Sequence, residues 1–155
     1  MRYIKGHEYS CRNNVNKIKQ YNARIFNRIL DELGIESFTC EQSAVLEQLW
    51  KHNSLSCNEL AEKTGLAPNT ITALVSNLQK NGLVVRAASP DDRRKVVVTI
   101  TDKGLSVRDD FERVVEKVVN IGFAGFSDYE YAEFENYLKR LCDNYEKFFV
   151  SKKGE

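Results

Sequence analysis

Histidine is scarce in this chain: His7 and His52 are its only two. Neither joins a Cys, Asp or Glu cluster at metal-ligand spacing, so no metal site is expected. Cys11, Cys40, Cys57 and Cys142 are scattered and form no CxxC pair. They read as free thiols of a reducing compartment. No apolar run approaches the roughly 18 residues of a membrane helix. Residues 1–7 lack the apolar stretch of a signal peptide. A cytoplasmic protein with no membrane partner is the expectation. The chain also lacks a phosphate-cradling glycine loop and any recognisable nucleophile motif. Enzyme activity therefore has no support, and no cofactor is expected.

What is present is the composition of a folded protein. At 42% hydrophobic and 29% charged, the chain is far from a disordered one. Its 155 residues suit a single domain. The net charge of +1 is unevenly spread. Residues 51–101 hold seven Lys/Arg against four Asp/Glu, giving +3; residues 102–155 hold nine against twelve, giving −3. The middle of the chain is the part suited to a polyanion.

Helical periodicity opens at residue 12, with Val15, Ile18, Tyr21, Ile25, Phe26, Ile29, Leu30 and Leu33 on one side and Gly34 as the stop. Thr39 and Gln42 form a capping box before a second helix bearing Val45, Leu46, Leu49 and Trp50. Ser56 and Glu59 form another, opening a short helix that ends at Gly65. Pro68 then starts a helix with a buried stripe of Ile71, Leu74, Val75 and Leu78. Two short helices across a glycine turn are a helix-turn-helix. The outward side of the second carries Asn69, Thr72, Ala73, Ser76, Asn77 and Lys80, with Thr70 beside them. These are small hydrogen-bonding groups with one base and no acid. Such a face can approach phosphates and base edges closely, although a low-charge solvated face would look the same.

Leu83–Arg86 and Val96–Ile100 read as paired strands. Between them "SPDDRR" forms a charged tip, which makes a winged helix. Thr101 caps a long helix reaching about Gly122. Gly122 and Gly125 bracket a break, and Ser127–Glu130 is a third capping box. The last helix carries Tyr131, Phe134, Leu138, Leu141, Tyr145 and Phe148 in a heptad-like stripe, which points to a helical dimer interface, with packing into the chain's own core as the alternative.

These residues resemble the MarR family of transcriptional regulators over about residues 12–150. The strongest segment is "SCNELAEKTGLAPNTITALVSNLQKNGLVVRAASPDDRRKVVVTITDKG". It holds Asp92-x-Arg94, then Ile100-Thr101 where the family has Leu-Thr. Leu78, Gly82-Leu83-Val84 and Arg86 match the pattern before the wing; Thr101 and Lys103-Gly104 match the one after it.

The resemblance implies a mostly α (α+β) winged helix-turn-helix: six helices and a two-stranded wing, forming a homodimer through its terminal helices. Residues 1–155 would be one domain. Residues 12–38 and 102–150 would supply dimerisation, and 39–101 the DNA-binding lobe. The helix from Pro68 to Asn81 would enter the major groove of a pseudo-palindromic operator, with half-sites about one turn apart. Arg94 would enter the minor groove, where focused negative potential favours it. Asp92 would brace the loop, and Arg93 and Lys95 would contact phosphates.

Family members commonly release DNA on binding a small aromatic ligand or on thiol oxidation. The ligand cleft lies between the first, second and fifth helices, where Tyr21, Phe38 and Trp50 are candidates, each of which also suits the core. Cys11, just before the first helix, lies near the reactive cysteine of the peroxide-sensing branch. A helix N-terminus at Cys40 favours a thiolate, but a half-buried small residue is the stronger reading there, and Cys57 and Cys142 read as packing. A winged-helix module that binds protein and not DNA is the alternative.

Overall fold

Residues 8–89 and 96–151 are described in the computed structural model. Helix α1 spans Glu8–Leu33, four residues earlier than its apolar periodicity suggests. Only its C-terminal half is buried, through Phe26, Ile29 and Leu30. Helix α2 spans Cys40–His52, and its predicted capping box is present: Thr39 Oγ1 accepts from Gln42 N, and Gln42 Oε1 accepts from Thr39 N at 3.0 Å. Helix α3 (Cys57–Thr64) has the same arrangement at Ser56 and Glu59. It ends at Gly65, whose φ of 69° is the left-handed conformation that glycine adopts without a Cβ penalty. Helix α4 spans Pro68–Lys80 with the proline in its first turn, where a missing N–H costs nothing.

Strands β2 (Val84–Ala88) and β3 (Val96–Ile100) pair antiparallel, with Val84 opposite Ile100 and Ala88 opposite Val96. The wing has a further strand that periodicity misses. Strand β1 (Ser54–Leu55) pairs with the other edge of β3, giving the order β1-β3-β2. Two residues carry no readable alternation, so only the tertiary pairing reveals them. The Ser54 and Thr99 hydroxyls meet across that pair at 2.7 Å.

The predicted long helix after Thr101 is two helices, α5 (Asp102–Ser106) and α6 (Arg108–Gly122). Val107 turns inward at the junction and is buried. The last helix, α7, spans Asp128–Ser151, behind the predicted cap at Ser127 and Glu130. Seven helices and three strands among the described residues thus replace the expected six and two. The class stands: mostly α with a small antiparallel sheet.

The chain divides into two compact units, 1–118 and 119–155. The first has a dry core in which Leu46 and Leu49 of α2, Leu60 of α3, Ile71, Val75 and Leu78 of α4, Leu83, Val84 and Val98 are almost wholly removed from water. Each such side chain is worth about 1.5–3 kcal/mol before entropy is counted. In the second unit no described side chain is buried. Its order centres on Phe123, whose ring lies 4.6 Å from Tyr131, 5.3 Å from Phe126 and 5.8 Å from Phe134.

Candidate nucleic-acid interface

Helix α4 buries Ile71, Val75 and Leu78. Period 3.6 then turns Asn69, Thr70, Thr72, Ala73, Asn77 and Lys80 to solvent, while Ser76 is half-buried. All the residues expected on the outward face therefore lie on one side of one helix. Thr72 Oγ1 donates to Pro68 O at 3.0 Å, and Ser76 Oγ to Thr72 O at 2.8 Å. Each hydroxyl proton is spent on the helix itself, so towards any further partner these oxygens act as acceptors.

Sequence reasoning did not place Arg86 at this site. Period two along β2 puts Arg86 on the same sheet side as the buried Val84, and its guanidinium reaches across α4. Nη1 donates to Gln79 Oε1 at 3.3 Å; Nη2 donates to Ser76 Oγ at 3.2 Å and to Thr72 O at 3.4 Å. The strand alternation was the available signal. Arg86 and Lys80 give the face two positive charges, and among the described residues no carboxylate pairs with either.

The C-terminal end of α4 is tied to the wing root by polar contacts around Thr101. Its Oγ1 donates to Gly82 O at 2.7 Å and accepts from Gly104 N at 3.0 Å, while its N donates to Leu83 O at 3.1 Å. Lys103 Nζ donates to Asn81 O at 2.8 Å. Asn81 Nδ2 reaches Ser37 O at 3.1 Å. Gly104 is required by packing: a Cβ there would sit 2.2 Å from Leu83 O and 2.8 Å from the Ile100 side chain. The Thr101, Lys103 and Gly104 pattern thus has a physical purpose, which is to fix the return from β3 against the exit from α4. The wing-tip residues Asp92, Arg93, Arg94 and Lys95 lie outside the described residues.

The three aromatics expected around a ligand cleft are not brought together as one lining. Phe38 is a core residue at 3% exposure, whereas Tyr21 is 56% exposed. Phe38 and Trp50 belong instead to one chain of rings. Phe26 stands 6.4 Å from Phe38 and 6.0 Å from Phe111, and Phe111 stands 5.0 Å from Trp50. A cleft of about 130 Å³ opens beside Trp50, lined by Glu47, Lys51, Arg108, Phe111 and Glu112. That is smaller than the roughly 300 Å³ at which drug-sized ligand pockets begin. Burial raises the Glu47 carboxyl, with Lys51 opposing the shift.

Two of the thiols, Cys11 and Cys142, differ from expectation. Cys11 lies within α1, not before it, and is exposed. Cys40 sits in the first turn of α2, yet its thiol is pushed up to about 11 by burial and by the carboxylates of Glu41 and Glu47. Desolvation outweighs the helix N-terminus there. The Asn27 side-chain oxygen accepts from Cys40 N at 2.8 Å, which holds the residue in its packing role. Cys57 is half-buried and Cys142 exposed. Among the described residues no three His, Cys, Asp or Glu groups converge on a metal position, and no helix is long and apolar enough to cross a membrane.

A family model described as MarR family matches residues 38–96. The chain is 30% identical over 148 residues to the uncharacterised HTH-type transcriptional regulator YsmB of Bacillus subtilis (strain 168), covering 91% of this chain and 92% of that one. Its fold is that of a MarR protein structure from Peptoclostridium difficile DA00132, with a TM-score of 0.82, 21% identity and 97% of each chain covered. It also matches a Bordetella bronchiseptica BpsR structure on the regulation of DNA binding by 6-hydroxynicotinic acid. There the TM-score is 0.77 and the identity 21%, covering 92% of this chain and 99% of that one.

Proposed function

The chain belongs to the MarR family of transcriptional regulators, and on that premise we propose that it binds a double-stranded DNA operator as a homodimer and represses transcription. The observation that carries this reading is the outward face of α4: solvent-facing, built of small hydrogen-bonding groups, and free of carboxylates. A helix with that surface can lie in the major groove without repelling phosphates. Asn69, Thr70, Thr72, Ala73, Ser76, Asn77 and Lys80 would contact it. In the wing, Arg94 would probe the minor groove, Asp92 would brace the loop, and Arg93 and Lys95 would meet phosphates.

The apolar faces of the terminal helices support the dimer. On α1, Val15, Ile18 and Tyr21 are exposed; on α7, Tyr137, Leu138 and Tyr145 are exposed. Each of these helices, taken by itself, exposes large apolar side chains of the kind that a partner covers. In this reading the chain is one subunit, with residues 39–101 as the DNA-binding lobe, and it acts in the cytoplasm. The likeness to BpsR, whose structure concerns regulation of DNA binding by 6-hydroxynicotinic acid, supports release by a small aromatic effector. Cys11, exposed on α1, would be the thiol for oxidative release, although Cys142 is exposed as well.

A gel-shift with DNA from upstream of the protein's own gene tests the reading, repeated with peroxide and with aromatic acids. A retarded band at low salt that Arg94→Ala abolishes is the expected result. A properly dimeric sample that shifts no DNA at low salt would overturn DNA binding and leave the protein-interaction alternative.

A further inference from the structure

Arg86 is exposed, yet its guanidinium does not range freely. It rests on the middle of α4, on three acceptors at 3.2–3.4 Å: Ser76 Oγ, Gln79 Oε1 and Thr72 O. All three acceptors are uncharged. The distances are long beside the roughly 2.8 Å of a guanidinium bonded to an anionic oxygen. The Thr72 carbonyl already receives the Ser76 hydroxyl at 2.8 Å, so it is a shared acceptor for Arg86. Three bonds engage at most three of the five N–H donors of an arginine. At least two remain, on a side chain anchored to a paired strand, Arg86 lying opposite Val98. Among the described residues no carboxylate neutralises it.

We propose that Arg86 is a DNA-phosphate ligand, held in readiness on α4 by weak neutral acceptors until a backbone phosphate beside that helix takes it. This rests on the DNA-binding reading and adds to it a contact from neither α4 nor the wing tip. An arginine already ordered on a rigid element loses little side-chain entropy on binding. It also brings charge to a helix whose own outward face holds only Lys80. Bonds to Ser76 and Gln79 would keep that charge in register with Asn69, Ala73 and Asn77, so a phosphate contact at Arg86 would set the depth of α4 in the groove.

The test uses a duplex that the wild-type full chain selects from a random-sequence pool, with affinity measured by fluorescence anisotropy from 50 to about 250 mM salt. Each lost phosphate contact lowers the slope of log affinity against log salt by about 0.9. Arg86→Gln is therefore expected to flatten the slope by about 1.8 per dimer, with a loss of roughly 10- to 100-fold. Arg86→Lys keeps the charge and is expected to hold the wild-type slope with a smaller loss. Gln-variant binding that weakens with an unchanged slope would make Arg86 only a pin between β2 and α4, and would overturn the proposal. Unchanged affinity would overturn it too. If the Gln variant melts early by circular dichroism, the Lys variant decides: a flattened slope there sinks the idea. Wild-type protein that selects no duplex at all defeats the DNA reading itself, an outcome visible before any variant is made.

Discussion

The indole Nε1 of Trp50 donates to the backbone carbonyl of Gly104 at 2.9 Å, joining residues 54 positions apart in sequence. Trp50 comes from the last turns of α2 and Gly104 from α5, whose N-cap Thr101 in turn holds Gly82 and Leu83. One side-chain bond therefore fastens the helix beside the aromatic cleft to the element that closes the wing root.

Trp50→Phe keeps a ring against Phe111 but removes the only donor on the indole. The Gly104 carbonyl is then left without this partner in a half-buried place. A loss of about 1–3 kcal/mol in unfolding free energy is expected, measured by urea denaturation. A loss within about 0.3 kcal/mol would show that water replaces the indole without cost.

Gly104→Ala is expected to be more damaging than its size suggests. The added methyl meets Leu83 O at 2.2 Å and Ile100 side-chain atoms at 2.8 and 3.0 Å. A backbone carbonyl cannot swing aside as a side chain can, so a cost of about 3 kcal/mol is expected, at the upper end for overpacking. Thermal melts of the variant should show it, and a melting temperature equal to wild type would refute the packing argument.

Ser56→Ala removes the side-chain acceptor for Glu59 N and one half of the α3 capping box. The expected cost is about 1 kcal/mol, read by chemical denaturation. A neutral result would mean that Glu59, bonded to Ser56 N at 2.7 Å, carries the cap alone.

Cys40 should resist alkylation near neutral pH, while exposed Cys11 reacts. The thiolate is the nucleophile, and the Cys40 thiol is raised from 9.0 to about 11. The sign for stability follows. A group whose folded-state value is raised contributes stability fully present below pH 9 and lost as pH rises through about 11. Peptide mapping after iodoacetamide at pH 8 checks the order of reactivity; equal modification of the two cysteines would refute it.

Leu138→Asp places a charge in the exposed stripe of α7 without touching a buried side chain. Sedimentation should then report monomer with unchanged helix content. A variant that remains dimeric would move the interface elsewhere.

Much of the architecture was legible because it rests on short-range rules. Capping boxes at Thr39, Ser56 and Ser127 announce three helices, since the pairing groups lie three residues apart. The stripe of Ile71, Val75 and Leu78 orients α4, because one helical period decides which side meets the core. Strand β1 and the break at Val107 were not legible. The first has two residues and exists only through β3; the second depends on Val107 packing inward.

The candidate site divides along the same line. The acid-free face of α4 is a property of residues spaced three and four apart, so the sequence alone determined it. Arg86 reaching Ser76, Cys40 made inert by burial and two carboxylates, Phe38 withdrawn into the core and Trp50 bonded to Gly104 were decided only by tertiary structure. Each depends on a neighbour or a loss of water set by another part of the chain, and no local period encodes which groups will meet or how dry the place will be.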